Sequence, residues 1–223
     1  MGSILAGGLR PRAAGRRCGA VQAPALGPRG WMSQDQDRAD VPAPAMSAPE
    51  LGSLTWLPAA DRPDLLGAPV LAALPALTGP AWVAEIDPDL ADTAAFTDAY
   101  GVPPEASANC VVVATRRAGE TGLAACMVLA TTRADVNGLV RRHLDARKVS
   151  FASMDDAVSL TGMEYGGITP IGLPEGWPVL VDAAVAAAGP VIVGSGLRGS
   201  KIELPGEALA DLPGAVVLDG LGT

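Results

Sequence analysis

The chain has 223 residues, 49% of them hydrophobic, enough to bury one sizeable core. Its formal net charge of −8 argues against a protein that grips long stretches of nucleic acid through phosphates, while leaving contact with one strand end open. No apolar run approaches the roughly 18 to 20 residues needed to cross a bilayer, and Cys18, Cys110 and Cys126 lie far apart without a Cys-x-x-Cys spacing. The expectation is a soluble, cytoplasmic protein with reduced thiols.

Residues 1–50 are rich in Gly, Pro, Ala and Arg and show no sustained period, which predicts a disordered tail. Its arginines superficially suggest a transit peptide, but serine is scarce and no amphipathic helix is evident. Met32 and Met46 could also serve as starts. Over 51–80 the residues Leu65, Leu66, Val70, Leu71, Leu74 and Leu77 recur at helical spacing, broken by Pro69 and Pro75. Short helical pieces are expected. Ala81–Ile86 reads as a strand. Asp87-Pro88 supplies an N-cap acceptor and an N1 proline for a helix running to Tyr100 and ending at Gly101.

Ala108–Thr115 and Leu123–Thr131 are β-rich and joined by a turn at Arg116-Arg-Ala-Gly119, the pattern of a hairpin. Val136, Leu139, Val140, His143 and Leu144 share one helical stripe within 135–145. A short strand follows at 148–152, and Ser153 opens a helix to about Leu160. Val179–Val181, Val191–Val193 and Ala215–Leu218 read as strands. Ser200–Leu204 alternates polar with apolar residues, and Pro205 opens a short helix. Strands outnumber helices without strict alternation, which favours a mixed α/β fold: a mixed sheet or irregular barrel with helices outside.

The run Thr161-Gly-Met-Glu-Tyr-Gly-Gly-Ile-Thr-Pro-Ile-Gly-Leu-Pro174 has too many glycines for a helix. Gly166 and Gly167 let bare amides face a ligand, and Pro170 stiffens the loop. Such a loop suits an ester carbonyl or a developing oxyanion. Gly194-Ser-Gly196-Leu-Arg-Gly199 is formally G-x-G-x-x-G, with Asp219 downstream. Strand-like residues follow it where a dinucleotide motif needs a helix, so a glycine-rich turn is expected. His143 is the one histidine, which makes a triad or a zinc site improbable. Cys110 sits in an apolar strand, where thiols are usually inert. Arg116, Arg117, Arg141, Arg142, Arg147, Lys148, Arg198 and Lys201 could form a basic rim for a few phosphates. Asn109 needs hydrogen-bond partners wherever it is buried.

From about Ala81 to the C-terminus (81–223) the chain resembles the YbaK family, aminoacyl-tRNA editing domains related to the insertion domain of bacterial prolyl-tRNA synthetase. The match is carried by Thr161-Gly162 with Gly166-Gly-Ile-Thr-Pro170-Ile-Gly172, by Val179-Leu-Val-Asp182, and by Val191–Gly196 with Lys201-Ile-Glu-Leu204 and Leu209. The resemblance implies a barrel-like mixed sheet surrounded by helices, and hydrolysis of the ester joining a wrong amino acid to the tRNA 3′ end, without cofactor or metal. Expected partners are the aminoacyl-tRNA 3′ end and a synthetase, with no membrane and no DNA. Gly166 and Gly167 would act on the carbonyl with Asn109 beside them. Ile168, Thr169, Pro170, Lys148 and Asp182 would bind substrate. Asn109 stands where the family usually has lysine, and Lys148 is a candidate replacement for its charge. A non-catalytic descendant that binds tRNA ends or a synthetase is the alternative.

Overall fold

A computed structural model of the chain describes residues 47–223, so the expected tail, apart from its last four residues, lies outside the described residues. In chain order the elements are β1 (Leu57–Pro58), α1 (Ala68–Ala73), β2 (Trp82–Glu85), α2 (Thr93–Tyr100), β3 (Ala108–Arg117), β4 (Glu120–Leu129), α3 (Arg141–His143), β5 (Lys148–Phe151) and α4 (Met154–Thr161). They continue with β6 (Val179–Asp182), α5 (Ala183–Ala187), β7 (Pro190–Gly194), β8 (Ser200–Pro205), α6 (Gly206–Ala210) and β9 (Ala215–Leu218). Four strands form one sheet in the order β1-β2-β8-β7, and five form a second in the order β5-β3-β4-β6-β9. The fold is mixed α/β. Among the described residues the sheets do not close on each other, and an isolated bridge between Ser107 and Ile192 links the two. A closed barrel is therefore absent from this arrangement.

Local chemistry accounts for most boundaries. The hairpin β3–β4 pairs Ala108 with Leu129 through to Arg117 with Glu120, and turns on Ala118 and Gly119. Both have positive φ, 49° and 91°, as the two-residue turn that suits strand twist requires. Ser153 accepts from the Asp156 amide and starts α4, and Gly101 closes α2 in the left-handed region. The helix expected over 88–100 divides in two: a 3-10 turn at Pro88–Leu90 capped by Asp87, then α2, whose N-terminal neighbour Asp92 makes no side-chain cap. Residues 136–140 form a wide π turn ahead of α3, and His143 is exposed there.

Residues 51–80 pack into the same core as the strands that follow, and β1 pairs with β2. Pro69 lies in the first turn of α1, where a missing N–H costs nothing, so it starts the helix rather than breaking it. Val70 is fully buried and packs in one core with Val83, Ile171, Val191, Val193, Ile202 and Leu204. A second cluster, Trp56, Trp82, Ala84, Ile86, Phe96 and Ile192, covers the other face of the four-stranded sheet. No helix among the described residues is long and apolar enough to cross a membrane.

Candidate active site

The glycine run is held by backbone packed against backbone. The Gly196 amide donates to Gly167 O (2.8 Å), the Glu164 amide to Gly196 O (2.9 Å), and the Gly67 amide to Ser195 O (2.9 Å). A Cβ on Gly167 would lie 2.8 Å from the Leu197 nitrogen and closer still to its carbonyl; one on Gly196 would lie 2.9 Å from Gly67 Cα. The G-x-G-x-x-G string thus has its glycines where three chain segments touch. It forms the β7–β8 turn, as its strand-like sequel predicts.

Where this packed loop meets the two sheets there is a cavity of 230 Å³. Gly166 and Ile168 line it from the loop, Ser107 from just before β3, Asn109 and Cys110 from its start, Thr93 and Phe96 from α2, and Ile192 and Lys201 from β7 and β8. Asn109 Oδ1 accepts from Thr93 Oγ1 at 2.6 Å, and its amide nitrogen has no partner among the described residues. Ser107 Oγ is buried without a partner among the described residues. Burial pushes the Cys110 thiol far above its ordinary range, helped by neighbouring Cys126, so it stays protonated as its apolar strand suggests. Lys201 is buried at 7% exposure; its Nζ donates to Ala91 O (2.8 Å) and Gly166 O (3.2 Å) and sits 5.5 Å from the Phe96 ring centroid. Burial lowers its pKa to about 8, with Asp92 raising it and Arg198 lowering it.

The sequence-expected residues divide between this cavity and its surroundings. Asn109, Gly166 and Ile168 come together. The Gly167 amide is occupied, donating to Glu164 O at 2.9 Å, whereas those of Gly166 and Ile168 have no partner among the described residues. Thr169 and Pro170 are buried outside the cavity lining, with Thr169 Oγ1 unpartnered among the described residues. Pro170 faces instead a separate apolar groove with Leu173, Trp177 and Leu212. Asp182 caps α5: Oδ1 accepts from the Ala184 amide at 2.7 Å and Oδ2 from that of Gly222. Lys148 is exposed on β5, opposite Arg116. Lys201 leaves the expected basic rim and enters the cavity.

Sequence reasoning passed over Ser107, Thr93, Phe96 and the burial of Lys201. The one signal for Lys201 was rarity, since it is one of two lysines in the chain. Among the described residues no cluster of three or more His, Cys, Asp or Glu could hold a metal ion.

A small polar cavity between two sheets of a mixed α/β domain, closed on one side by a glycine loop, is the candidate for a ligand or catalytic site. The aminoacyl-tRNA editing domain profile matches residues 87–212, more than half of the chain, and the chain belongs to that family. The match begins after β2, although β2 pairs with β8 inside the same fold. Among solved structures, a candidate trans-editing enzyme for prolyl-tRNA synthetase superposes with a TM-score of 0.57 at 21% identity, over 69% of this chain and 94% of its own. A hypothetical protein superposes with a TM-score of 0.56 at 23% identity, over 63% and 90%. At these identities the likeness shows the fold alone. No curated protein matches the chain.

Proposed function

We propose that this protein hydrolyses the ester of mischarged aminoacyl-tRNA in trans, in the cytoplasm, using the cavity between the loop and the two sheets. The observation that carries the reading is the convergence of the Gly166–Ile168 backbone with Asn109 on one small cavity, in a chain of the editing family. The amides of Gly166 and Ile168 hold the acyl oxygen; Gly167 shapes the loop. Preorganised donors of this kind need no rearrangement as charge develops, and losing one typically costs on the order of 10²–10³ in rate. The Asn109 amide group holds the terminal ribose, with Thr93 fixing its orientation through the 2.6 Å bond. Water adds to the acyl carbon, the bond to the ribose oxygen breaks, and the proton passes to that oxygen with help from the neighbouring ribose hydroxyl. A separate hydrolytic site is useful because a binding pocket distinguishes one methylene by only about 1–3 kcal/mol.

A binding-only descendant that captures tRNA ends or a synthetase is the second reading, favoured by Asn109 standing in a lysine position. Incubation of mischarged Ala-, Cys- and Ser-tRNA with wild type and with Asn109→Ala separates the two. Release of at least one amino acid well above the buffer rate, slowed about tenfold in the variant, supports hydrolysis. Survival of all three esters at the buffer rate with wild type rejects it.

A further inference from the structure

Among the described residues Lys201 is the one buried cation. A charge taken out of water is expensive unless its donors are satisfied. An ammonium has three N–H donors. Two of them go to Ala91 O and Gly166 O, and the Phe96 ring covers part of the group. The third has no acceptor among the described residues, and Lys201 forms no ion pair there; Asp92 lies 4.0 Å from Arg198 instead. Ser107 Oγ, buried and equally without a partner, lines the same cavity. Two such groups around one small space mark a place prepared for a polar ligand.

Resting on the deacylase reading, we propose that the third N–H of Lys201 donates to the acyl oxygen of the bound ester. Positive charge then reaches the reacting carbonyl from β8, not from the β3 position that Asn109 occupies. Lys201 keeps its proton throughout: water adds to the acyl carbon, the ribose oxygen leaves and takes the proton, and the ammonium serves only the oxygen on which charge collects. The contact with Gly166 O ties the lysine to the glycine loop, so the backbone donors and the cation are set by one arrangement. A charge held at a largely buried position acts more strongly than one in bulk solvent.

The test uses the full chain, with Lys201→Met and the transposed pair Lys201→Met/Asn109→Lys, assayed on whichever mischarged tRNA wild type hydrolyses. The single variant is expected to lose about 10²-fold in kcat, with KM changed far less. The transposed pair is expected to recover at least tenfold. A folded Lys201→Met with wild-type kcat, or a transposed pair no faster than the single variant, overturns the proposal. Wild type that hydrolyses nothing sinks the deacylase reading itself and this proposal with it.

Folding of the variant need not decide the matter. With two lysines in the chain, ε-carbon-labelled wild type gives two lysine signals. A non-hydrolysable amide analogue of aminoacyl-adenosine should move the Lys201 signal and leave that of Lys148 in place. Saturable binding of the analogue with both signals unmoved would reject the contact while sparing the active-site assignment.

Discussion

Asn109 and Lys201 face one cavity from different sheets, Asn109 from the second residue of β3 and Lys201 from β8 at the centre of the four-stranded sheet. The sheets approach each other at the Ser107–Ile192 bridge, two residues from Asn109 in sequence and two register positions from Lys201. The amide of Asn109 on one wall therefore does not leave the cavity without a cation. That weakens the chief motive for a binding-only reading and makes the charge on β8 the variable to test.

The Gly167 position should tolerate no side chain. Its backbone is not left-handed, so the cost is steric alone. A methyl would press on the Leu197 backbone, which cannot swing aside as a flexible side chain can. Overpacking of this kind costs typically 1–3 kcal/mol, or roughly 3–10 °C in a domain of this size. Thermal unfolding of Gly167→Ala should show that loss; a melting temperature within 1 °C of wild type would mean the loop moves away freely.

Removing the Asp182 carboxylate should lower stability and leave catalysis alone. Loss of an N-cap typically costs about 1 kcal/mol, and the acceptor for the Gly222 amide disappears with it. Asp182→Ala is expected to melt a few degrees lower with kcat/KM unchanged, and Asp182→Asn, which keeps an acceptor, to fall between. Unchanged melting with a tenfold loss of deacylation would return Asp182 to the substrate.

Glu203 is 4% exposed between its strand partners Trp82 and Ile192, and burial raises its pKa to about 7. The folded state therefore holds this proton more tightly than the unfolded chain. Its stabilising contribution is complete below the ordinary value of 4.5 and is lost as pH rises through about 7. The difference is at most on the order of 3 kcal/mol. Urea unfolding at pH 5 and pH 8 should show wild type losing more stability across that interval than Glu203→Gln. Parallel losses in the two proteins would mean that Glu203 is ionised in the folded state at both pH values.

Much of the frame was legible because its signals are local. A proline and a capping side chain act on the residues beside them, so Asp87-Pro88, Gly101, Ser153 and the turn before β4 could be read in place. The glycine run was also recognisable as a close backbone approach. What approaches it at Gly167 is the protein's own chain. A missing Cβ records that something is near without recording what.

Sequence alone determined the strands from β2 onward, the hairpin, the mixed α/β class and the family resemblance, since these depend on periodicity, turn chemistry and motif order, while β1 went unread. Tertiary structure alone decided which polar residues share the cavity. The alternation in Ser200-Lys-Ile-Glu-Leu204 normally puts its polar members in solvent, but β8 lies between β2 and β7, with one core under Ile202 and the Trp82–Phe96 cluster over Lys201 and Glu203. Both faces of that strand are buried, and the number of layers stacked on a strand is a property of distant segments that its own pattern does not encode.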